Sequence, residues 1–343
     1  MKEKQKKKLT EKQKNKILIL SAILAVPVLS LAAVIIRALA LFTDFNGQDY
    51  FLMNTSLPSA YLILSLATCL VLLLFTILSR KCMKLSESGE RTELPTLFAS
   101  AFLSVTLVAT AVVSVLAAVA SRDPLITFFH VLIVILALLT VGYLVYFLRG
   151  IGPSHSFFRT YLSLSPVLLT LSVAILLYFD HSVQINAPAK LLALAAFLVL
   201  ALAFLVECRY YFAAPKPAMR YLTLGVGFYL AISASLPNLI YTIARGTVLV
   251  LSSAYDFLLF AFALYLLAHL LSLLPERERE VHAMVSDAVA GSEASAEGEK
   301  PAGDSDADET NVKEAPADVP AEEPASEEAP APKKAKKTAK KAE

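Results

Sequence analysis

Eight long apolar stretches, near Ile17–Phe42, Ser59–Leu78, Thr96–Ala120, Leu125–Leu148, Phe157–Phe179, Ala189–Phe212, Tyr221–Ile243 and Val250–Leu274, govern what this chain can fold into. A helix rises about 1.5 Å per residue, so about 20 apolar residues cross the roughly 30 Å hydrocarbon core of a bilayer. The runs are continuous rather than alternating, which selects helices over barrel strands, because a helix satisfies every backbone amide within its own segment. Of 343 residues, 57% are hydrophobic and 17% charged, with a mean hydropathy of +0.62, more apolar surface than a soluble domain can hide. The fold class is therefore an all-α integral membrane bundle of about eight transmembrane helices.

Lysine and arginine placement gives the orientation. Eight lysines precede the first stretch; Arg80, Lys81, Lys84 and Arg91 follow the second; Arg149 and Arg159 flank a later alternate connection; Arg209, Lys216 and Arg220 mark the next; and Arg277 and Arg279 follow the last. The other connections carry none, Arg122, Lys190 and Arg245. The bias predicts a multi-pass protein of the cytoplasmic membrane with both termini inside. The first apolar run is too long for a cleavable leader, although Ala38-Leu39-Ala40 resembles a cleavage site.

The chain divides into a basic amino-terminal segment, 1–16, membrane halves 17–148 and 149–274, and a charged tail, 275–343. The tail lacks aromatic residues and is rich in Ala, Glu, Asp, Pro and Ser, a composition that cannot bury enough apolar surface to offset ordering, so it is expected to be mostly disordered beyond a short helix at about 276–289. It is a polyampholyte whose basic tip, Lys333 to Lys341, could touch anionic lipid or nucleic acid.

Small residues recur every fourth position in two stretches. Thr106, Thr110, Ser114 and Ala118 lie in the third, and Thr223, Gly227, Ala231 and Ser235 in the seventh. Such stripes let helix backbones approach closely in lipid, so both helices are expected at the centre of the bundle. Arg122 and Arg245 follow these stripes, and Asp44 and Asp180 follow the first and fifth stretches, which together point to two tandem four-helix repeats in the same orientation.

Charge inside hydrocarbon costs about 2.5 to 3.5 kcal/mol or more at mid-membrane, so intramembrane ionisable residues are functional candidates. Arg37, His130 and Asp256 share a similar depth, with Arg122 and Arg245 at the rim; they are expected to form an outward-facing polar vestibule for a small anionic solute. The competing expectation is that the arginines snorkel or that one of them neutralises Asp256 in packing. Asn238 joins the candidates because Pro237 beside it frees a backbone carbonyl. Pro27 and Pro166 are also expected to interrupt helices, Glu207, Arg209 and His269 to snorkel or pair at helix ends, and tyrosines to form two interfacial belts.

No metal site, cofactor or catalytic residue is expected. Cys69, Cys82 and Cys208 have no zinc-type spacing, and HExxH, GxSxG, Walker and GxGxxG patterns are lacking. The expected function is a small-solute transporter or permease-like protein. The alternatives are a scaffold or accessory subunit recruiting cytosolic partners through its tail, and an unfamiliar integral membrane enzyme.

Overall fold

In the computed structural model, residues 2–46, 51–52, 56–79, 94–148, 161–181, 184, 187–211, 217–246, 248 and 253–273 are described. The helices are α1 (Lys2–Asp44), α2 (Ser56–Ser79), α3 (Leu94–Ala120), α4 (Pro124–Leu148), α5 (Ser165–Phe179), α6 (Pro188–Tyr211), α7 (Pro217–Arg245) and α8 (Ser253–Leu271). Two-residue strands β1 (Phe45–Asn46) and β2 (Phe51–Leu52) pair antiparallel after α1. By length and composition, seven of the helices can cross a membrane; α5 is apolar but only 15 residues long. The chain is thus a helical membrane bundle.

Local chemistry sets the helix ends. Proline opens α4, α6 and α7 and lies in the first turn of α5, positions where its missing amide costs no intrahelical bond. Asp123 caps α4 by accepting the Leu125 amide on Oδ1 at 2.8 Å. Gly246 stops α7 with φ at 69° and returns its amide to the Thr242 carbonyl at 2.8 Å. The expected fifth span, 157–179, is corrected here: the helix that reaches Phe179 starts at Ser165 after a turn at 163–164. Pro166 therefore begins a helix rather than interrupting one, and residues 151–160 lie outside the described set.

Hydroxyls inside the apolar helices are satisfied locally. Ser30, Thr68, Thr76, Thr110, Thr140 and Ser235 each donate to the carbonyl four residues earlier, at 2.7 to 2.9 Å. Cys208 donates its Sγ–H to the Ser163 carbonyl at 2.8 Å and is a packed, buried thiol.

The packing is a closed ring. In turn α7 lies against α8, α8 against α3, α3 against α4, α4 against α5, α5 against α6, and α6 against α7. The α1–α2 hairpin packs on the outside of α7. Helix α7 is accordingly the hub, with 78% of its apolar stretch buried inside the protein, whereas α3 has 33% and α2 only 11%. Leucine, isoleucine and valine cover the outward faces of α2, α3 and α4, as a lipid-facing surface requires. The expected tandem halves have different neighbours: α5 to α8 pack in succession, while α1 and α2 lean on α7 and α3 on α8. The short helix expected at 276–289 and the Lys333 to Lys341 tip fall outside the described residues.

Candidate functional site

Helices α1 and α7 run parallel. The Tyr221 hydroxyl, in the first turns of α7, donates to the Ala22 carbonyl midway along α1 at 2.9 Å, and further along both helices Arg37 reaches Ser233 and Asn238. The end reached by Arg37 is termed distal. Helix α2 runs antiparallel beside them, joined by Tyr61 to Ser233 Oγ and by Tyr229 to Ser65 Oγ, each at 2.9 Å. Both serine hydroxyls already donate to backbone carbonyls, so the tyrosines are the donors.

Pro237 builds the site. It has no amide to offer the carbonyl four residues back, that of Ser233, and this carbonyl accepts Arg37 Nη1 at 2.7 Å. Arg37 Nη2 donates to Asn238 Oδ1 at 3.0 Å, and Asn238 Nδ2 donates to Asp256 Oδ1 at 3.0 Å. One amide thus separates a guanidinium from a carboxylate, presenting oxygen to the cation and N–H to the anion, the orientation that both partners demand. Arg37, Asn238 and Asp256 are 8%, 0% and 1% exposed. Asp256 Oδ2 is buried without a hydrogen-bond partner among the described residues.

The five-residue vestibule is not what the side chains form. His130 is buried elsewhere: its Nδ1 lies 3.5 Å from the Tyr255 hydroxyl, which also lies 3.4 Å from Ser114 Oγ. Asp180 acts on His130 electrostatically, and Lys190 donates to the Asp180 carbonyl. This second polar group joins α3, α4, α8 and the start of α6. Lys190, expected in an outer loop, is instead buried in the first turn of α6. Arg122 and Arg245 are exposed at the distal end and do not join the buried groups. A groove of about 370 Å³ lies between α3 and α4, lined by Val115, Ala118, Thr127 and Val131 among others, and takes in none of Arg37, Asn238 and Asp256.

The small-residue stripes are placed differently from each other. Thr223, Gly227, Ala231 and Ser235 are all buried on α7, and a Cβ on Gly227 would lie 2.9 Å from Leu266 Cδ1 of α8, which shows how closely these helices approach. On α3, Thr110 and Ser114 are buried while Thr106 and Ala118 are half-buried. Tyr143, Tyr221 and Tyr255, expected in interfacial belts, are buried in the bundle.

A third polar cluster lies at the opposite end of α7 and α8. Arg220 Nε donates to Glu207 Oε1 at 2.9 Å, and Arg220 Nη2 donates to His269 Nδ1 at 3.3 Å. All three residues are buried, so Glu207 and His269 pair inside the protein rather than snorkel. An arginine only donates, so His269 Nδ1 accepts and its ring proton sits on Nε2. The His269 ring lies against Tyr265 at a tilt of 48°, with centroids 4.3 Å apart. Arg220 reads in the sequence as a loop charge; Pro217 three residues earlier is the signal that places it inside a helix. Among the described residues, no group of three or more His, Cys, Asp or Glu side chains is arranged to hold a metal ion.

No family profile, curated protein or solved structure matches this chain significantly. The functional reading therefore rests on the chemistry of these three clusters.

Proposed function

We propose that this chain is a permease-like protein of the cytoplasmic membrane, with both termini inside, that handles a small anionic solute from its distal end. The observation that supports this reading is the Arg37–Asn238–Asp256 row, which draws one polar side chain from each of α1, α7 and α8 into the bundle at a proline-broken turn. Apolar side chains would hold the same three helices with no desolvation cost, so a charged row there points to use rather than to packing alone. The site is narrower than the sequence implies. Its working part is Arg37, Asn238 and Asp256, with Arg122 and Arg245 attracting anions at the distal surface.

Thermal unfolding of the purified full-length protein against a panel of anionic and amphipathic metabolites tests the reading. A ligand present at about 100 times its Kd stabilises by about 2.7 kcal/mol through mass action, and Asp256→Asn should remove that response. A panel that stabilises neither form, or both equally, defeats the proposal.

A second reading, an accessory or scaffold subunit, draws on α2, which packs along one side against α1 and α7 and buries 11% of its apolar stretch. Deleting residues 290–343 separates the two readings: ligand stabilisation unchanged by the deletion favours the permease, and loss of captured cytosolic proteins favours the scaffold.

A further inference from the structure

We infer that Asp256 carries an exchangeable proton on Oδ2, and that the charge of Arg37 is released or held according to whether that proton is present. The inference deepens the permease reading by naming a proton as the coupling ion of the same site.

The argument begins with the two carboxylate oxygens. Oδ1 accepts the Asn238 amide, a bond that the carbonyl oxygen of a protonated acid also makes, though more weakly than a carboxylate. Oδ2 is buried with no hydrogen-bond partner among the described residues, and an ionised oxygen left so costs more than a hydroxyl does. A metal cation is a poor alternative, because it needs several oxygen ligands and would sit beside a guanidinium. A proton needs one oxygen.

Two features balance the burial. Asp256 lies in the first turn of α8, where the helix amino terminus favours negative charge, and Arg37 stands one amide away. The charged or titratable groups facing this row are Arg37 from α1 and Tyr61 from α2 against Arg37; α7 contributes the neutral Asn238, and the Tyr255 hydroxyl on α8 lies instead by His130 and Ser114. On proton uptake from hydronium, whose O–H bond breaks to leave water, an Oδ2 lone pair forms the new O–H bond and the net charge of the Arg37–Asp256 pair goes from zero to +1. Arg37 then keeps two neutral acceptors but loses its counter-charge. A buried guanidinium without a counter-charge is driven toward water, and Arg37 is seven residues from the distal end of α1, within reach of the interface by snorkelling. Protonation thereby loosens α1 from α7.

Infrared difference spectroscopy of the full-length protein in liposomes, titrated with pH in H2O and D2O, tests this directly. The expected result is a buried carboxylic-acid carbonyl band that disappears as pH rises, is deuterium-sensitive and is missing in Asp256→Asn. Arg37→Gln should move its disappearance to higher pH by about one unit or more, since a nearby cation lowers a carboxyl group's proton affinity. Should Asp256→Asn unfold, Asp256→Glu is the replacement, and it should retain a displaced band. No Asp256-dependent band while helicity persists, or a band unchanged across the pH range, overturns the inference. A titrating band without any ligand stabilisation leaves the proton site standing and removes the permease reading; ligand stabilisation without the band does the reverse.

Discussion

Replacing Glu207 by leucine should unfold this protein more readily than replacing both Glu207 and Arg220. The two charges meet at 2.9 Å with side chains 9% and 10% exposed, so at an effective dielectric of about 20 their attraction is about 6 kcal/mol. Desolvation of each ion removes several kcal/mol, so the pair contributes little net stability. Glu207→Leu abolishes the attraction and leaves the desolvated guanidinium of Arg220 without its carboxylate, a loss of about 3 to 5 kcal/mol. Glu207→Leu combined with Arg220→Met replaces both ions by apolar chains of similar length and should lie within about 1 kcal/mol of the native protein or above it. The chain has no tryptophan, so unfolding in mixed micelles is followed by circular dichroism. A single variant that loses less than about 1 kcal/mol, or a double variant as unstable as the single, would refute the reasoning.

Gly227→Val should cost about 1 to 3 kcal/mol by forcing Leu266 from the α7–α8 seam, read by the same unfolding assay, whereas Gly142→Ala, whose new methyl meets open space, should change stability little. Pro237→Ala gives the Ser233 carbonyl a helical donor, so Arg37→Gln should cost less in that background than in the native chain; a double-mutant cycle should show coupling of at least about 0.5 kcal/mol. Tyr229→Phe should lose about 0.6 kcal/mol, the typical worth of one hydrogen bond between membrane helices, with no change in helicity.

The spans were legible because hydrocarbon imposes a length and a composition that a sequence displays directly. The start of α5 was less so: an apolar run continues upstream of Pro166, and only the proline says where the helix begins. Arg37, Asn238 and Asp256 were readable as candidates since each is costly in lipid, and Pro237 told which carbonyl was free. The separate placement of His130 was not readable. Both faces of α4 are apolar, one toward lipid and one toward protein, so periodicity gives no azimuth for its single histidine. Arg220 and Lys190 were hidden by their positions near span ends, where a charge facing the interior and a charge facing water look alike.

The acceptors that hold Arg37 lie 196 and 201 residues further along the chain. During synthesis at about 5 to 20 residues per second, the first helix therefore waits roughly 10 to 40 s before its arginine meets a permanent partner. Until then the guanidinium must be accommodated by headgroups, water or the insertion machinery. Maturation of the earliest segment is thus tied to arrival of one of the last, and a ribosome that stalls before α7 emerges leaves α1 and α2 as a hairpin without its hub.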